Sequence, residues 1–196
     1  MTTSVTYNGS SSAPTNAGSY TVVATVNDAN YAGSASGSLQ VGKASASVTL
    51  SGLSHTYDGS SKSATASTTP SGLTVDLTYD GSASSPTNAG TYAVVGTIND
   101  ANYSGSASDT LEISKATATV QISDLSQIYD GLPKPVTVTT TPSGLSVSLT
   151  YDGSATAPSA VGTYPLAATV TDSNYQGSAT GTLSFNGPNL QPLCLT

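Results

Sequence analysis

GTYAVVGTINDANYSGSASDTLEI, residues Gly90–Ile113, decides the fold, because the chain carries it three times. An earlier copy runs from Gly18-Ser19-Tyr20 to Leu39, and a later one from Gly162-Thr163-Tyr164 to Leu183. The interval from Tyr7 to Tyr79 and from Tyr79 to Tyr151 is 72 residues, and the same interval links Gly18, Gly90 and Gly162. A second set recurs once: Lys43 and Lys115, Tyr57 and Tyr129, Asp58 and Asp130, Pro70 and Pro142. All 11 tyrosines fall in this register. A fixed period without insertions means one structural unit copied in tandem. The period is too long for a solenoid coil and suits a small domain.

The natural unit starts at Lys43. This gives a partial unit over 1–42, complete units over 43–114 and 115–186, and an unrelated tail over 187–196. The chain reads as a fragment of a longer array, entered midway through a unit. Residues 1–42 lack the segment that matches 43–78, so exposed sheet edges and lower stability are expected there.

Within the unit 115–186 the pattern is that of strands. Ala118, Val120 and Ile122 alternate with Thr117, Thr119 and Gln121, the mark of a half-buried strand. Val136–Thr139 is a second strand and Ser146–Tyr151 a third, with Val147, Leu149 and Tyr151 inward. Thr163–Thr171 is the longest, and Gly181–Phe185 closes the unit with Leu183 and Phe185 inward. Asp130-Gly131, Asp152-Gly153 and Pro142-Ser143-Gly144 supply turns. No segment carries apolar residues at helical spacing, although Ser84–Ala89 has room for one helical turn. The expected class is all-β: tandem small immunoglobulin-like β-sandwich domains, with β-grasp-like or partial-barrel units as the alternative.

Composition narrows the function. Charged residues make only 8%, about a third of the usual share. The cations are Lys43, Lys62, Lys115 and Lys134, and the net charge is −7. A nucleic-acid binder needs a basic surface to neutralise phosphates, so that class is excluded. An anionic membrane surface is disfavoured for the same reason. No apolar run reaches membrane-spanning length, and the first residues carry neither the basic region nor the apolar core of a signal peptide. The single cysteine, Cys194, lies in the tail, so no disulfide framework and no cysteine-based metal site is expected.

Each candidate for chemistry has a plainer reading beside it. His55 is the only histidine; its register partner is Gln127, and a solvent-facing turn position outweighs catalysis, which would need a nucleophile and an orienting acid nearby. Asp28, Asp100 and Asp172 each stand two residues before Asn30, Asn102 and Asn174. These six are the calcium candidates, but calcium wants six to eight oxygens and no D-x-D-x-D cluster exists. The Asp-Gly pairs at Asp58, Asp80, Asp130 and Asp152 read as turns, with Asp capping its own backbone and Gly at positive φ. A Lys–Asn cross-link from Lys43, Lys62, Lys115 or Lys134 is weaker than simple solvation, since the lysines border strands in polar sequence. Two glycosylation sequons, at Asn8 and Asn102, lack counterparts in register and count as chance. The tyrosines keep phase with Val and Leu, which favours core over a sugar-stacking surface. Gly90 is a candidate for positive φ, in which case Gly90→Val destabilises. No catalytic residue and no cofactor is expected.

With these motifs in place, the chain resembles tandem MBG-type repeats of large bacterial surface proteins. The resemblance rests on Tyr57-Asp58-Gly59 and Tyr129-Asp130-Gly131, Ala89-Gly90-Thr91-Tyr92, Asn102-Tyr103 before Gly105-Ser106-Ala107, and the closing Leu111–Ala116. It covers nearly all of 1–186. The third unit departs from it, with Val161-Gly162 where Ala89-Gly90 stands and no counterpart of Lys115-Ala116 after Asn186. The resemblance implies an extracellular, cell-surface or secreted bacterial protein, adhesin-like, with no catalytic residues.

Two functions of different class follow. The first is a stalk that spaces a distal adhesive region from the cell, with neighbouring repeats of the same chain as partners. The junction Leu111–Thr117 has no Gly, Pro or Ser-rich run, so one unit passes into the next without a flexible linker and a semi-rigid rod is expected. The second is a binding module whose repeats contact host glycans or glycoproteins weakly per unit and strongly by multivalency. An exposed aromatic strip on successive units would favour it. An enzyme lacks the necessary convergent residues.

Overall fold

The computed structural model describes residues 1–187, and every regular element among them is a strand. Cys194 and the rest of the expected tail lie outside the described residues. Residues 1–42 form β1 (Thr2–Tyr7), β2 (Gly18–Asn27) and β3 (Ser34–Val41). The middle repeat contributes β4 (Ala44–Ser45), β5 (Ser47–Ser51), β6 (Ser54–Thr56), β7 (Thr65–Thr69), β8 (Val75–Tyr79), β9 (Gly90–Ile98), β10 (Tyr103–Ser104) and β11 (Ser106–Ser114). The third repeats that order as β12 (Ala116–Thr117), β13 (Thr119–Ser123), β14 (Ser126–Ile128), β15 (Thr137–Thr141), β16 (Val147–Tyr151), β17 (Gly162–Val170), β18 (Tyr175–Gln176) and β19 (Ser178–Asn186). Ser84–Ala89 holds no helical turn. Ser84, Asn88 and Ala89 are bends in an irregular connection between two strands instead.

The third repeat is a small two-layer sandwich. One layer is a four-stranded mixed sheet in the order β14-β19-β17-β16. The other is the antiparallel pair β13–β15, with β13 packed across β17 and β19. Alternation places the core between them. Tyr151, Leu166, Leu183, Phe185 and Val136 form one buried cluster, and Ala118, Val120, Ala168 and Val170 another. Leu183 and Ala168 are fully covered. The Tyr151 hydroxyl accepts the Val136 N–H at 3.1 Å, which lets an aromatic ring enter the core without an orphaned polar atom. Tyr79 does the same for Ala64 at 2.9 Å.

The middle repeat uses the same ladders 72 residues earlier: Ser47↔Thr69 matches Thr119↔Thr141, and Val75↔Ile98 matches Val147↔Val170. Residues 1–42 form a three-stranded sheet, β1-β2-β3, with Tyr7↔Val22 in the register of Tyr151↔Leu166. No strand in 1–42 corresponds to β13 or β15. The sheet therefore carries an open apolar groove lined by Ala24, Val26, Gly33 and Ala35.

The turn chemistry follows the residues. Asp80 and Gly81 have φ of 48° and 82°, Asp152 and Gly153 46° and 82°, and Asn8 and Gly9 47° and 84°. Two successive positive φ values make the primed hairpin turn that Asn-Gly and Asp-Gly favour. Reciprocal bonds close it, Tyr79 N–H to Ser82 O at 2.7 Å and Ser82 N–H to Tyr79 O at 2.9 Å. Asp58 and Asp130 act differently: their carboxylates accept the N–H two residues on, at Ser60 (2.8 Å) and Leu132 (3.0 Å). Gly90 has φ 159°, close to extended, so its role is not a left-handed turn. At the matching Gly18, an added Cβ would rest on the ring of Tyr20 at 3.4 Å, an ordinary van der Waals contact.

By contact the chain divides into two compact units that cut across the repeats. The first holds Met1–Leu53, Lys62–Pro86 and Thr91–Leu111; the second holds Ser54–Ser61, Thr87–Gly90 and the chain from Glu112. Two loops of the middle repeat thus group with the third.

Candidate functional site

Four of the six Asp-x-Asn residues, Asp100, Asn102, Asp172 and Asn174, are where successive repeats meet. In the first compact unit, Asp100 Oδ1 accepts the N–H groups of Asn102 (2.7 Å) and Tyr103 (3.0 Å). That turn fixes the Asn102 carboxamide so that it faces the preceding repeat. Asn102 Oδ1 accepts the Ala17 N–H at 2.9 Å, and Asn102 Nδ2 donates to Asn16 Oδ1 at 3.3 Å. The second unit repeats the geometry. Asp172 Oδ1 accepts from Asn174 (2.7 Å) and Tyr175 (3.0 Å). Asn174 Oδ1 accepts the Ala89 N–H at 2.9 Å, and its Nδ2 donates to Asn88 Oδ1 at 3.3 Å. Asparagine suits the position because its amide both accepts and donates, whereas an ionised Asp only accepts.

Lysine completes the joint. Lys43 Nζ donates to the Asp100 carbonyl at 2.6 Å, and Lys115 Nζ to the Asp172 carbonyl at 2.7 Å. An ammonium on a carbonyl is a charge-assisted bond, shorter than a neutral one. Tyr57 meets Tyr175 edge-on, with ring centroids 5.4 Å apart. On the donor side, a tyrosine latches the loop that enters the joint: Tyr20 O–H donates to Asn16 O at 2.9 Å.

Asp100 and Asp172 thus each commit Oδ1 to two backbone amides, and a lysine ammonium sits on the carbonyl of the same residue. Among the described residues no group of three or more His, Cys, Asp or Glu side chains lies where it could hold a metal. Asp28 keeps the turn alone, accepting the Asn30 N–H at 2.9 Å, and the neighbouring Tyr31 is 67% exposed. His55 sits half-buried on β6 opposite Ile113, a strand position instead of the expected solvent-facing turn. Gln127 takes the same place on β14 opposite Phe185. Lys134 pairs with Asp130, one turn of chain away. That ammonium, helped by the Leu132 N–H, holds the Asp130 carboxyl below its ordinary range.

The sequence pattern alone misses Asn16, Ala17, Asn88 and Ala89 as joint residues. A signal for them exists: the amide pair Asn16/Asn88 shares the 72-residue register of Asn30, Asn102 and Asn174. In the third repeat the matching positions are Ala160 and Val161, and Val161 is 54% exposed.

The geometry defines a class of protein: an array of tandem all-β units joined by a repeated hydrogen-bonded clasp. The chain belongs to the MBG domain family, whose model matches it three times, over residues 1–45, 46–117 and 118–187. No curated protein matches it. MBG repeats are found in bacterial surface proteins, and the matched domain is non-catalytic. No helix of the described residues is long and apolar enough to cross a membrane.

Proposed function

We propose that the repeats serve as a structural spacer of an extracellular bacterial surface protein, a stalk that holds a distal adhesive region away from the cell. The observation that carries this reading is the joint itself. The Asn–Asn and Asn–amide bonds, the lysine and the Asp turn occur twice at matching distances, 2.9 and 3.3 Å in both cases. A joint that specifies its own geometry limits bending, which is what a spacer needs and what a flexible tether lacks. The competing reading, multivalent contact with host glycans or glycoproteins, needs an aromatic strip that repeats along the array. Tyr31 and Tyr129 are the tyrosines among the exposed large hydrophobics, and they occupy different register positions.

The test is a distance distribution across one joint. Spin labels at Ser10 and Ser82, both exposed, sit at equivalent turns of adjacent repeats within one compact unit. In a C194S background the unmodified joint is expected to give one narrow distribution, broadened by N102A. A broad distribution before any joint residue is changed would remove the spacer reading, and specific glycan binding by the same chain would replace it.

A further inference from the structure

We infer that each complete repeat is built as a shear-loaded clamp that bears tension applied along the chain. This rests on the spacer reading and adds a mechanical property to it. The chain enters the third repeat at β12, which pairs in parallel with β18: Ala116↔Tyr175 and Thr117↔Gln176. It leaves at the end of β19, which pairs in parallel with β14: Ser126↔Ser184, Gln127↔Phe185 and Ile128↔Asn186. The entering run β12–β13–β14 and the leaving run β18–β19 thus lie side by side and point the same way. They are bonded where the chain comes in and again where it goes out.

Pulling the ends of such a pair apart drives the two runs past each other along their length. The bonds across them then share the load and fail together. In an antiparallel hairpin pulled at its open end, the bonded pairs break in succession. The bonds that would share the load are Ala116 N–H to Asn174 O (2.9 Å) and Ala118 N–H to Gln176 O (2.8 Å) at the entry. At the exit they are Ser184 N–H to Leu125 O (2.8 Å) and Tyr129 N–H to Asn186 O (3.0 Å). Parallel pairing is uncommon between elements so close to both ends of an all-β unit, since antiparallel pairs dominate such folds. The middle repeat has the same two pairs, Tyr103↔Ala44 with Ser104↔Ser45, and Glu112↔Ser54 through Ser114↔Thr56.

Two sequence features serve the clamp. At Gly177 an added methyl would run into the Ala118 carbonyl oxygen, and at Gly105 into that of Ala46. The glycines let the entering strand press against the sheet so that the short parallel pair can form. Only Lys115 separates β11 from β12, so tension reaches the clamp through strand and not through slack loop.

Single-molecule force spectroscopy on the full chain tests this, first with handles at the two ends. A second geometry places the handles at Ser146 and Thr171, the open end of the β16–β17 hairpin, as S146C/T171C in a C194S background. The end-to-end geometry is expected to resist at a force where the hairpin geometry has already yielded. In the end-to-end geometry A116P, which deletes one clamp donor on a two-residue strand, should speed unfolding of the third repeat at fixed force by about fivefold to tenfold. Its unfolding in the hairpin geometry should be unchanged. Equal resistance in the two geometries, or equal acceleration of both by A116P, would overturn the clamp. Neither result touches the joint distances, so the spacer reading would stand; glycan binding with a strong clamp would do the reverse.

Discussion

Leu39, Leu111 and Leu183 hold one register position, yet Leu39 is 37% exposed while Leu111 and Leu183 are at 0%. The first repeat and the third share their hairpin turns, their strand register and half of their residues from Tyr7 and Tyr151 onward. They differ most in the leading segment, which also gives the third repeat β14 and the β12–β18 pair. The third has the pair β13–β15 laid over its sheet, and residues 1–42 have no such layer. Strand formation in this family is therefore a local matter, dictated by alternation and by Asp-Gly or Asn-Gly turns. Burial is long-range and depends on a segment far away in sequence. The sheet β1-β2-β3 keeps its shape while lacking most of the apolar burial that stabilises the complete repeats.

The sharpest way to break that comparison is to truncate the shared leucine. Leu183→Ala removes a fully buried side chain and is expected to cost the third repeat roughly 2–5 kcal/mol. Leu39→Ala, already open to solvent, should cost the first sheet less than about 1 kcal/mol. Hydrogen exchange in β17 and β2 reads the two repeats separately during urea titration. Similar losses at both positions would mean that the first sheet is covered in solution.

A smaller difference separates the glycines. Gly177→Ala drives a methyl into the Ala118 carbonyl, a backbone atom that cannot rotate away, and is expected to cost about 1–3 kcal/mol. Gly33 is its counterpart in the first repeat, where the nearest atom to an added Cβ is a Val26 methyl at 3.6 Å. Gly33→Ala should be near neutral, so the pair isolates the contribution of the entering strand. Thermal melts of both variants, with local exchange to assign the loss, provide the measurement.

Much of this was legible in the residues, and the failures have a common cause. Alternation in Ala118–Ile122, Val147–Tyr151 and Leu183–Phe185 places strands and core faces correctly, because period two is a local signal. The Asp-Gly turns are equally local. The short strands β14 and β18 escape, since three or two residues carry no period. With them go the mixed sheet and the parallel pairs, and His55 is misread as a turn residue for the same reason. The joint escapes differently. Asp100 and Asn102 read as a turn or a calcium site because their partners, Asn16 and Ala17, lie 86 and 85 residues away. Ala17 contributes only a backbone N–H, which no side-chain pattern can announce.

Below the glycines in size come the buried hydroxyls. Tyr151→Phe leaves the Val136 N–H without its acceptor inside the core, at an expected cost of about 1–2 kcal/mol. Tyr7 stands in the same register on a sheet that lacks the segment containing such a donor, so Tyr7→Phe should change little. Equal effects at Tyr7 and Tyr151, measured by denaturant unfolding, would detach the cost from the Val136 bond and assign it to the ring.

The smallest expected effect is electrostatic and belongs to the third repeat. The Asp130 carboxyl sits below its ordinary value of 3.8 because the Lys134 ammonium and the Leu132 N–H favour its charged form. A carboxylate whose folded pKa is depressed adds stability above its unfolded pKa and loses it as the pH falls through the folded one. The window therefore opens at 3.8 and extends downward. The pair is exposed, so solvent screens it and the contribution at neutral pH is slight. Asp130→Asn should leave the melting temperature at pH 7 where it was and flatten the acid response of β17 exchange below pH 3.8. Residues 1–42 contain no counterpart of this pair, so β2 exchange should follow the same acid course in both proteins. An unaltered acid response of β17 in the variant would move the pH sensitivity of the third repeat to another carboxylate.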